Sequence, residues 1–297
     1  MTPDDLMYRP GLLDGQRILI TGGGSGLGRV MAEACLMLGA EIVICGRRQG
    51  VLEDTAAELV RDHGGKVTAI VCDIRQPEAI AAMVDRIWTE LGPLTALVNN
   101  AAGNFISRTE DLSVRGFDAI ANIVFRGAFL VTLECGKRWI AEGRGASVLS
   151  ILTTWVWNGS PFTVPSAMAK AGLHAMTQSL AVEWAPHGIR FNAIAPGLFP
   201  TEGMTARLDP TGRNFDPAAR NPMRRTGRMP ELANLAVFLL SPGAAYVNGQ
   251  TIAIDGAEYQ ATGGNFSNLA AWLPEDWERA AVAIRGRDRA DRQRRND

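Results

Sequence analysis

A chain of 297 residues with 46% hydrophobic and 21% charged side chains has the composition of a globular protein able to bury a substantial core, as one large domain or two small ones. A formal net charge of −1 argues against a general affinity for nucleic acid, which needs a positive excess. The longest apolar stretches are interrupted by Arg126 or Glu134 or are too short to cross a bilayer, and the opening MTPDDLMYRPG carries two acids and no apolar run; no membrane partner or targeting segment is expected, and a cytoplasmic location is.

Short apolar runs alternate with helical patterns along most of the chain. RILI (17–20), EIVIC (41–45), KVTAIVC (66–72), LTALVN (94–99), ASVLSIL (146–152), IRFNAIA (189–195) and QTIAID (250–255) read as strands. They are continuously apolar, as strands are when helices cover both faces of a parallel sheet. Helical stretches at 26–38, 51–63, 77–91, 113–142, 164–185 and 230–240 separate them. The alternation predicts an α/β fold: a single doubly wound Rossmann-type domain with a seven-stranded parallel sheet flanked by helices, over residues 1–284. Two stretches break the rhythm. Residues 198–229, rich in Pro, Gly and Arg, read as a lobe, and 285–297, with six Arg and three Asp, read as a disordered tail. Cys35, Cys45, Cys72 and Cys135 lie far apart in apolar segments without ligand spacing; they read as buried free thiols, and no metal is expected.

The segment ILITGGGSGLG (18–28) joins the first strand to the first helix. Gly22, Gly26 and Gly28 suit a tight turn and close backbone approach, with Gly24, Ser25 and Leu27 in the same turn. The helix start offers free N–H groups to a pyrophosphate. The second strand ends at Arg47-Arg48, and no acid stands between Glu41 and Glu53. An arginine suits a 2′-phosphate where an acid would accept ribose hydroxyls, so the expected cofactor is NADP(H).

The TGGGSGLG turn, Asp73 after strand three, NNAAG (99–103) and Pro196-Gly197 together resemble the short-chain dehydrogenases/reductases, over about residues 12–260. The resemblance implies that Asp73 and Ile74 border the adenine, that Asn99 supports the strand beside the cofactor with Ala101 and Gly103, and that Pro196, Gly197, Phe199 and Thr201 face the nicotinamide. It also implies a homotetramer built on the two long helices.

That family normally places a tyrosine four residues before a lysine. Here Lys170 stands in PSAMAKAG (165–172), preceded at that spacing by Ser166, and the pair shares one helical face. The resemblance implies that Lys170 holds the nicotinamide ribose, and the scarcity of lysines, only Lys66, Lys137 and Lys170 among 30 basic residues, supports a retained role for it. No tyrosine lies between Tyr8 and Tyr246, so the usual acid/base is absent. The family's hydroxyl thirteen places before the tyrosine falls on Thr153, and its usual asparagine on Val124.

VPSAMAKAG, LAVEW (180–184), RLDPTG (207–212), ELANLAVFL (231–239) and GNFSNL (264–269) resemble the 2,4-dienoyl-CoA reductase branch, which also has serine at this position. Reduction of a conjugated thioester develops charge on the thioester oxygen, so hydrogen-bond donors suffice and water can supply the proton. Two positions depart from the mitochondrial type: Trp155 for a tyrosine and Arg126 for an asparagine. Arg126 reads as an enolate-stabilising group, an anchor for a substrate acid, or a structural ion-pair partner. In the lobe, Arg207, Arg213, Arg220, Arg224, Arg225 and Arg228 outnumber Glu202, Asp209 and Asp216, which suits an anionic small-molecule substrate such as an acyl-CoA. His63, His174 and His187 have no neighbouring acid or nucleophile in sequence and carry no expected chemistry. The catalytic candidates are therefore Lys170, Ser166, Thr153 and Arg126. Three activities fit: NADPH-dependent reduction of a conjugated acyl thioester, ketone or alcohol chemistry using Ser166 and Thr153, or NADP(H) binding without turnover.

Overall fold

The computed structural model describes residues 1–201, 217–263 and 266–296. Glu202, Arg207, Asp209, Arg213, Asp216 and the RLDPTG motif lie outside the described residues, as do the first two residues of GNFSNL and the Arg220 side chain.

Seven strands form one parallel sheet: β1 (Arg17–Thr21), β2 (Glu41–Gly46), β3 (Val67–Val71), β4 (Ala96–Asn99), β5 (Ala146–Ile151), β6 (Ile189–Pro196) and β7 (Thr251–Ile254). Their order is β3-β2-β1-β4-β5-β6-β7, so the chain reverses direction of winding between β1 and β4. A doubly wound sheet opens its crevice at that reversal, beyond the carboxyl ends of the strands. The apolar side chains of β1 and β2 divide between the two faces. Leu19, Val43, Leu97, Val148 and Phe191 pack under α3 (Pro77–Arg86), α5 (Ala128–Ala141) and α7 (Val164–Glu183). Ile18, Ile20, Ile42, Ile44, Val98 and Ile194 pack under α1 (Gly26–Met37), α2 (Gln49–His63) and the helix Met229–Leu240. Burial on both faces is why the strands show no polar alternation.

Local chemistry ends the helices. The C-terminus of α2 is closed by Gly64 at φ +72°, whose N–H donates to Val60 O at 2.8 Å. Between α5 and α7 only glycine fits: a Cβ on Gly136 would lie 2.2 Å from the Trp184 ring. Trp139 is fully buried and donates from its indole N–H to Leu94 O at 2.7 Å, so Trp139→Ala would cost about 3–5 kcal/mol.

Two expectations need correcting. The helical stretch 113–142 is α4 (Val114–Ala121) and α5 joined by a π-helical turn, Asn122–Gly127. By length and composition the stretch Val114–Ala141 could cross a membrane. Ile120, Val124, Ala128, Val131, Cys135 and Trp139 bury one face of it against the sheet, the pattern of a core helix. Within the charged run 285–297, expected to be disordered, residues 285–296 instead continue the helix Pro274–Asn296, and Asp297 lies outside the described residues. Low hydropathy removes a core-facing stripe, not helix propensity: Arg, Ala and Gln are good helix formers, Pro274 and the acids Glu275 and Asp276 sit in the first turn, and Arg279 bonds Asp276.

Candidate active site

β1 ends at Thr21 and the chain turns at Gly22 with φ +67°. The Thr21 hydroxyl accepts from the backbone N–H of Asn100 (3.1 Å) and Ala101 (3.0 Å). The Asn100 amide donates to Thr21 O at 3.0 Å and Gly22 O at 3.3 Å. These bonds stitch the end of β1 to the end of β4 where the winding reverses. A Cβ on Gly28 would lie 2.5 Å from Gly22 O and from the Asn100 amide, and one on Gly23 would lie 2.5 Å from Ile44 Cγ2. The buried Thr55 hydroxyl donates to Gly24 O at 2.9 Å and fixes the middle of the turn. Ser25 precedes α1, with Leu27 half-buried at its start, and Thr201 lies 3.6 Å from where a Gly26 Cβ would stand. This compact glycine turn at a helix N-terminus fits a dinucleotide pyrophosphate. Thr21, Thr55 and Asn100 were not singled out from the sequence; the doubled asparagine in NNAAG was the one signal available.

At the other side of the crevice, Arg47 and Arg48 are exposed at the end of β2. Arg48 Nη2 donates to Ser25 Oγ at 3.3 Å, reaching back over the glycine turn. Asp73 and buried Ile74 follow β3. The Asp73 carboxylate is gripped by Arg75, whose Nε lies 2.9 and 3.0 Å from its two oxygens, and whose backbone N–H donates at 3.1 Å. The Arg75 guanidinium holds the Asp73 carboxyl below the usual carboxylate range, with a smaller contribution from Arg47. Arg126 has no carboxylate partner among the described residues. Its guanidinium is exposed and donates from Nη1 to Arg75 O at 2.8 Å.

Lys170 and Ser166 are buried on one face of α7. Lys170 Nζ donates to Ile151 O, at the end of β5 and one residue beyond the last β4–β5 pair, Asn99↔Ser150. Burial pulls the Lys170 ammonium down to about 8. The Ser166 and Thr153 hydroxyls and the Trp155 indole N–H make no hydrogen bond to any described residue. Thr153 follows β5 directly, and Trp155 opens the short helix α6 (Trp155–Asn158). Asn99 is buried and braces β4 to α5 through its amide, 2.8 Å from Thr132 Oγ1. Its Oδ1 and the Ser150 hydroxyl are buried without partners among the described residues. Val124 is fully buried in the π turn. The tyrosines stand elsewhere: Tyr8 bonds Asn234 O, Tyr246 is exposed, and Tyr259 stacks on Trp157 at 4.9 Å between ring centroids.

Pro196 ends β6, and Gly197 lies against Asp255, where a Cβ would approach to 2.7 Å. Ala101 contacts Gly22, and Gly103 faces Ile120. Phe199 is buried beneath Gly227. A cavity of about 230 Å³ opens there, lined by Phe199, Asn221, Met223, Arg225, Glu231 and Asp255 among others, and not by Lys170, Ser166 or Thr153. Arg225 donates to both Glu231 oxygens, at 2.7 and 2.8 Å, and holds that carboxyl down to about 2. Arg228 bonds the same acid. The cationic excess counted over 198–229 is smaller than it looked, because Glu231 stands just past that window.

The enoyl-(acyl carrier protein) reductase family model matches residues 22–257. An uncharacterized oxidoreductase of Caenorhabditis elegans is 45% identical over 285 residues, 94% of this chain and 91% of that protein. A probable 2,4-dienoyl-CoA reductase [(3E)-enoyl-CoA-producing] of the same organism is 41% identical over 288 residues, 95% of this chain and 93% of that protein. Among solved structures, the citronellol catabolism dehydrogenase of Pseudomonas aeruginosa aligns with a TM-score of 0.75 and 40% identity, over 86% of this chain and all of that one.

Proposed function

Because the chain belongs to the short-chain dehydrogenase/reductase family, whose members are NAD(P)(H) oxidoreductases, we propose that it reduces a conjugated acyl thioester, of the 2,4-dienoyl-CoA or enoyl-CoA type, with NADPH. One observation carries the reading: a buried lysine, Lys170, has an unengaged serine hydroxyl, Ser166, one turn before it, where the family's phenol would stand. A bound nicotinamide cofactor would supply a hydride, which carries its own electron pair. A ketone reductase then needs a side-chain acid to complete an alcohol. A conjugated thioester instead sends the electron pair to its carbonyl oxygen, so neutral donors meet the developing charge and water protonates the carbon.

Ser166, Thr153 and Trp155 supply three such donors with no described partner. Lys170 is anchored at Ile151 O by one N–H and keeps two for the nicotinamide ribose. Gly22, Gly24, Ser25, Gly26, Leu27 and Gly28 would hold the pyrophosphate, and Pro196, Gly197, Phe199 and Thr201 would border the nicotinamide. Preference for the 2′-phosphate is supported by Arg47 and by Arg48, whose guanidinium already reaches Ser25. A homotetramer is supported by Phe125, Phe129, Met168 and Val182, apolar side chains exposed along α5 and α7 and the turn before α5. NADPH oxidation followed in parallel with a 2,4-dienoyl-CoA, a 2-enoyl-CoA and a simple ketone tests the reading. Turnover is expected with at least one thioester and none with the ketone; turnover with the ketone alone would overturn it.

A further inference from the structure

We propose that Arg126 is a positioning residue for the adenine end of the cofactor, acting through Arg75, and that it does not touch the substrate; this rests on the NADPH reading above. Arg126 stands in the π-helical turn Asn122–Gly127, which packs backbone to backbone on the loop after β3. A Cβ on Gly127 would lie 2.9 Å from the Ile74 side chain and 3.0 Å from Ile74 O. A π turn inserts a residue into the helix and redirects the side chains around it. Here it sends the arginine over the β3 loop, where Nη1 donates to Arg75 O at 2.8 Å across 51 residues of sequence.

Among the described residues that carbonyl receives no backbone N–H. Asp73, Arg75 and Gln76 are also bonded to one another. Gln76 N–H donates to Asp73 O at 3.0 Å, Arg75 N–H donates to Asp73 Oδ1 at 3.1 Å, and the Arg75 fork clamps both carboxylate oxygens. Arg126 therefore holds the Arg75 backbone, and with it the plane of the Asp73 carboxylate that the Arg75 fork clamps. A planar fork transmits orientation where a point charge would not. An adenine amine donating to Asp73 requires that orientation. A shorter side chain at 126 would leave the Arg75 carbonyl to water and let the Asp73–Arg75 pair rotate.

The test uses Arg126→Ala and Arg126→Lys in the full chain, titrated by intrinsic fluorescence with NADPH and with its hypoxanthine analogue, which lacks the exocyclic amine. For Arg126→Ala the NADPH Kd is expected to rise about 3- to 10-fold, the range of one hydrogen bond. The analogue's Kd should rise less than about twofold, because the amine contact is already missing. kcat at saturating NADPH should stay within about twofold, and Arg126→Lys, which can still donate to the carbonyl, should recover most of the NADPH affinity. Equal weakening toward both dinucleotides would mark a general structural role and overturn the proposal. Unchanged Kd values with kcat lowered 10-fold or more, a loss of about the size expected for an oxyanion donor, would overturn it in favour of a substrate contact. Failure of the wild type to bind NADPH would instead bring down the cofactor reading, and this inference with it.

Discussion

Replacing Lys170 by methionine should stabilise the apo protein while abolishing turnover. The ammonium is buried, and its one described partner is a backbone carbonyl, Ile151 O, rather than a carboxylate. Burial pulls it from the ordinary 10.5 to about 8. At about 1.4 kcal/mol per unit, holding that charge in the folded state at neutral pH costs about 3 kcal/mol. Methionine fills the same unbranched volume but leaves the carbonyl without a donor, a loss of about 1–2 kcal/mol. The net expectation at pH 7 is a gain of about 1–2 kcal/mol, or a Tm higher by about 2–6 °C. The pH dependence carries the sign. Below pH 8 both folded and unfolded wild type are protonated, and the penalty is present in full. Between pH 8 and 10.5 the folded protein releases its proton before the unfolded chain does, so wild-type stability rises with pH and the variant's advantage disappears. Urea denaturation of both proteins from pH 7 to 10.5 reads this directly. A variant that is less stable at pH 7, by a gap that does not change with pH, would refute the reasoning.

Ser166→Ala should lower kcat by about 10- to 1000-fold if its hydroxyl meets the developing oxyanion, and unchanged kcat in steady-state assays would mark it as a relic. Ser166→Tyr should suppress thioester reduction by filling the space of the acyl chain; improved thioester turnover with ketones still inert would contradict that. Gly28→Ala should abolish NADPH binding in a fluorescence titration, since its Cβ would press within 2.5 Å of Gly22 O; wild-type affinity would show that the turn has room. NADPH should bind at least about tenfold tighter than NADH, about 1.4 kcal/mol, and Arg48→Asp should erase the difference; equal affinities in the wild type would end the claim.

Much of this architecture was readable from residue patterns. Parallel strands buried on both faces announce themselves as apolar runs, and the glycine turn can be placed once strand one and helix one are placed. The four-residue spacing of Ser166 and Lys170 puts them on one face of a helix wherever that helix lies. What escaped was set by contacts between distant segments. Nothing near Arg126 in sequence points to the Arg75 carbonyl 51 residues earlier, so its charge suggested an enolate, a substrate acid or an ion pair. The Asn100 and Thr21 stitching joins β1 to β4 across 79 residues. Glu231 neutralises Arg225 and Arg228 from the first turn of the next helix, outside the lobe that was counted. The π turn at Asn122–Gly127 interrupts a stretch whose periodicity reads as one helix, because one inserted residue shifts the pattern by less than a turn.

The most direct test of the proposed chemistry is single-turnover transfer of deuterium from C4-deuterated NADPH to a 2,4-dienoyl-CoA, read by mass spectrometry of the acyl product. The predicted result is an intact thioester that has lost one carbon–carbon double bond and carries one non-exchangeable deuterium on its acyl chain, with protonation from solvent at a second carbon. An acyl chain returned unlabelled while the deuterated cofactor is oxidised by a ketone, with the label on the carbon bearing the new hydroxyl, would contradict it.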